Sequence, residues 1–224
     1  MDAQTPLLTL PLELVLMIMA MLPLDALKTM ICTGPDLYHA FKQNEDTIGK
    51  MIVRKVIRPE LIHEARASVL AAKEPLWKLY DAQRFLEQYF GQHFRASNTF
   101  KLSQVKPLIH IAEIVNEFAE QFYQSSLPHR YSQVSTSERI RVERALYRYE
   151  TYCHLFRGHE LLAEKFPHPA GGLSPDIQLR RGYFAHFSPW ENEQLGCIYA
   201  FLFGITSTGL KFSVSLSFFS PNQY

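Results

Sequence analysis

Leu14-Val15-Leu16-Met17-Ile18-Met19-Ala20-Met21-Leu22 is a run of nine residues without a polar side chain. Pro11 suits the first helical position ahead of it, Glu13 places a carboxylate in the first turn, and Pro23 closes it, so the run reads as one short helix. A surface helix needs only one apolar stripe. A helix with no polar face must be covered on every side, by its own domain or by a partner. Its methionines lean towards an adaptable contact surface, although methionine also fills cores. The run is far shorter than a membrane span. Met1-Asp2-Ala3-Gln4 supplies no basic segment before it, so it is unlike a secretory signal.

Outward from this run the signals stay helical. Pro23 opens a second helix through Leu24, Leu27 and Ile31. Thr33, three residues before Asp36 with Pro35 between, predicts a capping arrangement for a third helix through Leu37, Tyr38 and Phe41. Ile48, Met51, Ile52 and Val56 predict a helix over 47–57, and helices over 60–73 and 75–94 follow. Pro107 is expected to start the next, carrying Leu108, Ile111, Val115 and Phe118. Ser135 with Glu138 predicts a capping box for a long helix towards Gly158, its stripe being Val142, Leu146, Tyr149, Cys153 and Phe156. A loop is expected over 167–175. Ser188 with Glu191 predicts a second box, opening a helix through Trp190, Leu195, Ile198 and Leu202. Only 212–218, where apolar residues alternate with serine, carries a strand pattern. The expected fold class is mostly α.

Composition narrows the function. Apolar residues are 47% and charged residues 20% of the 224, as in ordinary globular proteins. Lys and Arg number 23 against 22 for Asp and Glu, which gives no bulk attraction to a polyanion, so nucleic acid is not an expected partner. Cys32, Cys153 and Cys197 are odd in number and widely spaced, which fits reduced thiols in the cytoplasm or nucleus. From Cys197 to Phe219 the only charge is Lys211. A central lysine costs about 2.5–3.5 kcal/mol on insertion scales, so a membrane anchor is not expected there.

Catalytic and metal signatures are missing from the sequence. Cys153-His154 with His159 does not have zinc-ligand spacing, and there is no CxxC, GxGxxG, Walker loop, HExxH or GxSxG. No catalytic residue, metal or cofactor is therefore expected. Two constellations could bind a partner. Arg141, Arg144 and Arg148 form a stripe at steps of three and four that could grip an acidic or phosphorylated segment. The plainer expectation is a solvated face balanced by Glu138, Glu143 and Glu150. Trp190 with Glu191 and Glu193 could belong to a pocket, although a first-turn Trp more often packs onto its own domain.

Leu10-Pro11, Glu13-Leu14, Ile18, Leu22-Pro23, Leu27, Thr33, Leu37-Tyr38 and Phe41, in this order and spacing, resemble the F-box consensus. Tyr38 lies near the place where that family often carries a Trp. Further on, Glu138-Arg139, Arg144 to Glu150 and Tyr152-Cys153, then Phe187 to Leu195 and Cys197-Ile198, resemble helices of a large group of fungal F-box proteins of undefined substrate. After Ile198 the likeness fades, as in a truncated or alternatively ended member of such a group.

The resemblance implies a three-helix F-box over 8–45, a helical substrate-binding region over 46–204 and an atypical apolar, serine-rich tail over 205–224. It implies that Leu10, Pro11, Leu14, Ile18, Leu22, Pro23 and Leu27 bind a Skp-family adaptor and through it a cullin. Arg141, Arg144 and Arg148 are candidates for holding a protein substrate, and ubiquitin chemistry would take place on other subunits. Two other classes are compatible with the residues alone: a stand-alone helical interaction protein, and an enzyme assembled from dispersed Cys and His groups.

Overall fold

A computed structural model describes residues 10–91, 99–126, 134–157 and 175–207. Among these residues there are nine α-helices and no strand: α1 (Leu12–Met21), α2 (Leu24–Ile31), α3 (Pro35–Val56), α4 (Ile62–Ala72), α5 (Leu79–Phe90), α6 (Leu102–Ser126), α7 (Thr136–Phe156), α8 (Pro175–Ala185) and α9 (Pro189–Ser207). The protein is thus mostly α. The strand pattern at 212–218, Gly158 and most of the loop expected over 167–175 lie outside the described residues. The described helices fall into two compact units, one reaching Pro59 and including α6 as far as Ala112, the other beginning at Glu60 and including α6 from Glu113.

In the first unit α1 and α2 pack on α3. Val15, Met19 and Ala20 of α1, Leu27 of α2, and Leu37, Phe41, Ile48, Ile52 and Val53 of α3 are buried. Lys55 Nζ donates to the Ala20 carbonyl at 2.8 Å, placing a cation where the last turn of α1 leaves its acceptors unpaired. The capping arrangement expected at Thr33 and Asp36 does not form. Thr33 Oγ1 instead donates back to Met30 O at 2.7 Å, and the N-cap is Gly34, with Pro35 starting the helix.

The helices expected around 35–41 and 47–57 are one helix bent at Asn44 (φ −118°, ψ 17°). The Asn44 amide donates to Ala40 O at 2.9 Å, so a side chain takes over an acceptor of the backbone ladder at the bend. Just beyond it, Asp46 accepts from the Phe100 N–H at 2.6 Å and Glu45 from the Leu102 N–H at 2.9 Å. That second bond, with the Lys42 ammonium, holds the Glu45 carboxyl below its usual range despite partial burial.

Glu45 also satisfies an orphan donor at the start of α6. The helix therefore begins at Leu102, and Pro107, expected to open it, lies inside. Gly49 is required at this junction: a Cβ there would sit 2.0 Å from the Phe100 carbonyl oxygen. Gly49→Ala is expected to lower stability by about 1–3 kcal/mol through overpacking, even though Ala is the better helix former. A thermal melt of the variant reads this directly.

In the second unit α7 is central, packed against both α4 and α9. The inward side of α4 is Ala65, Ala67, Ser68 and Ala71, small enough to let two helix backbones approach closely. Being covered on two sides, α7 buries more than the expected apolar stripe. Leu146 and Phe156 are buried and Val142, Tyr149 and Cys153 half-buried, while Glu143, Glu150, Thr151 and His154 are buried as well. The Ser135 capping box forms as expected, with Glu138 N–H donating to Ser135 Oγ at 3.2 Å and Ser135 N–H to Glu138 Oε2 at 3.0 Å. Ser135→Ala is expected to cost about 1 kcal/mol, measurable by denaturant unfolding.

α8 is not among the helices expected from the sequence, although Pro175 followed by Asp176 is a start signal. Tyr183 of α8 is fully buried and donates from its hydroxyl to the Arg148 carbonyl at 2.7 Å. Among the described residues no helix is long and apolar enough to cross a membrane.

Candidate docking surfaces

Among the described residues, the apolar run of α1 is covered on one side. Val15, Met19 and Ala20 face the first unit's core, and Lys55 and the turn at Leu22-Pro23 fix the end of the helix. On the other side Leu10, Leu14, Met17 and Met21, at steps of four, three and four, are 39%, 45%, 49% and 72% exposed. Leu12 and Pro11 are exposed beside them. Ile18 and Leu22 are half-buried, and Pro23 is exposed. Of the seven residues that the F-box resemblance nominates for adaptor contact, six retain accessible surface. Leu27 does not: it is fully buried and belongs to the core.

The arginine stripe divides. Arg148 is almost enclosed, donating to Glu191 Oε1 at 2.7 Å, approaching Glu64 Oε1 at 3.5 Å and lying 4.4 Å from the centre of the Phe187 ring. Arg144 Nε is 3.4 Å from the same Glu64 oxygen. The ion-pair partners of Arg144 and Arg148 are therefore Glu64 of α4 and Glu191 of α9. Glu138 closes the capping box, and Glu150 is buried 2.7 Å from His154 Nε2. Glu191 has three tasks, since Ser188 N–H donates to its Oε2 at 3.0 Å and Ser188 Oγ to the same oxygen at 2.9 Å. Burial pulls its carboxyl up, but the bonds from Arg148 and Ser188 together outweigh that and hold it down to about 2.

Arg141 alone of the stripe is exposed, and it lines a groove of about 520 Å³ with Phe122, Val142, Trp190 and Cys197. Trp190 does not pack onto its own unit: it is 74% exposed at the rim of this groove. The first-turn position that makes Trp190 look like a packing residue aims it outward, because Glu191 has turned inward to Arg148. Cys153 is poorly suited to nucleophilic chemistry. Burial pushes its thiol up to about 12, and His154 is engaged by Glu150. Among the described residues no group of three or more His, Cys, Asp or Glu side chains could hold a metal ion.

No protein-family model, curated protein or solved structure matches this chain.

Proposed function

We propose that this chain is an F-box adaptor: α1 docks on a Skp-family protein, which links it to a cullin, and the second unit holds a protein substrate for ubiquitin transfer. The observation that supports the reading best is the exposed stripe Leu10, Leu14, Met17 and Met21, on a helix anchored by its opposite side. Each such side chain gains roughly 1.5–3 kcal/mol on full burial, so several together can drive association with an apolar partner surface. The F-box spacing of Leu10-Pro11, Leu14, Ile18 and Leu22-Pro23 names the partner class. Leu27 has a core role in this reading.

The work of such a chain is effective concentration, holding a substrate lysine near a charged ubiquitin carrier, in the cytoplasm or nucleus. The groove beside Trp190 and Arg141 supports a second reading, a stand-alone helical interaction protein that uses that groove and no ligase. Calorimetric titration of the full chain with a purified Skp-family adaptor separates the two. A one-to-one complex is the expected outcome, and a folded chain that leaves the adaptor unbound returns the assignment to the stand-alone class.

A further inference from the structure

A second cavity, of about 620 Å³, lies in the second unit between α7, α8 and α9, and rings make up much of its wall, with Leu195 as an aliphatic member. Tyr152 stands 4.9 Å from Phe156 and 5.1 Å from Phe184, and Tyr149 stands 6.4 Å from Tyr199, measured between ring centres. The size is that of a small-molecule site, and flat apolar walls select a flat apolar ligand.

Among the described residues of the wall are two arginines, Arg157 and Arg180, and no carboxylate. Arg157 spends its bonds on two neutral acceptors, donating to Pro75 O at 3.0 Å and Glu74 O at 3.4 Å, so its position is fixed while its charge is not neutralised by an ion pair. Two further wall residues carry a polar atom that finds no partner in the protein, His154 at Nδ1 and Asn192 at Oδ1. Both side chains are held from their other end. The His154 Nε2 pairs with Glu150, and the Asn192 amide nitrogen donates to Phe184 O at 3.0 Å and Phe187 O at 3.4 Å. Fixed residues with spare hydrogen-bonding capacity are what orient a ligand in a mostly apolar pocket.

Gly196, in the middle of α9, also lines the cavity, and a Cβ built on it would meet nothing within 4 Å. Glycine inside a helix costs about 1 kcal/mol relative to alanine.

The geometry points to this cavity as a binding site for a small planar aromatic anion, its ring between the tyrosine and phenylalanine walls and its carboxylate at Arg157. The inference is independent of the adaptor reading, because none of these residues lies in the first unit. The probe is 2-naphthoate, titrated calorimetrically into the full chain beside its neutral isostere 2-naphthylmethanol. Saturable binding of naphthoate is expected with a Kd on the order of 100 µM, and the alcohol should bind roughly tenfold more weakly.

Arg157→Gln should bring naphthoate down to the level of the alcohol and leave the alcohol unchanged. Gly196→Leu, which fills open space and replaces a poor helix former with a good one, should block both probes while far-ultraviolet circular dichroism stays that of the wild type. Absence of saturable naphthoate binding, equal affinity for the alcohol, or binding that survives Gly196→Leu overturns the assignment.

Discussion

The double change Leu14→Asp, Ile18→Asp is expected to weaken binding to a Skp-family adaptor by on the order of a hundredfold or more while the chain stays folded. Leu14 is 45% exposed and Ile18 half-buried, so the new carboxylates remain hydrated in the free protein. In a complex they would be pressed into an apolar interface, and an unpaired charge there costs several kcal/mol. The anchoring side of α1 is untouched, because Val15, Met19 and Ala20 keep their places in the core.

The contrasting variant is Val15→Asp. Val15 is 3% exposed, so the same charge at this position should unfold the first unit rather than spare it. Leu27→Asp belongs with that control: a buried residue reports on folding even where a sequence motif nominates it for contact. A well-folded double variant that binds the adaptor with unchanged affinity refutes docking through α1.

The contrast between Leu14 and Leu27 also marks how far a sequence carries. The helical class and most helix positions are legible, because period and capping are local. The Ser135–Glu138 and Ser188–Glu191 boxes form from residues three apart, as expected. What is illegible depends on partners distant in the chain. Pro107 looks like a helix start until Glu45, more than fifty residues earlier, accepts from the Leu102 N–H and moves the start upstream. The arginine stripe looks solvated until α4 and α9 bring Glu64 and Glu191 against it.

The aromatic cavity is hidden for the same reason. Tyr149, Phe184 and Tyr199 lie on three different helices, one of which, α8, is not among those expected from the sequence. Nor can an apolar run declare which of its sides the protein keeps for itself. In α1 that is decided by where α3 lies.

The other large effect expected is on stability, at Arg148. This side chain is nearly enclosed, bonded to Glu191 and close to Glu64, and stacked on Phe187, so it joins three helices of the second unit: α4, α7 and α9. Arg148→Ala leaves the buried Glu64 with Arg144 alone and Glu191 with the bonds from Ser188 alone. Removing one member of such an ion group typically costs about 3–5 kcal/mol, enough to unfold a marginal domain. Because much of that loss is the desolvation of the carboxylate left behind, adding Glu64→Met to Arg148→Met should recover most of it, and a melt of single and double variants measures the coupling.

The acid limb supplies an independent reading. The folded chain holds Glu191 at about 2, below the ordinary carboxylate value of 4.5. Its contribution is therefore complete above pH 4.5 and disappears as pH falls through that window towards 2. Wild-type Tm should fall across the interval, and the Arg148 variants should show a shallower fall, since their Glu191 has lost the guanidinium. Identical acid limbs in wild type and variant would mean that Ser188 alone holds the carboxylate and that Arg148 serves the fold through packing on Phe187.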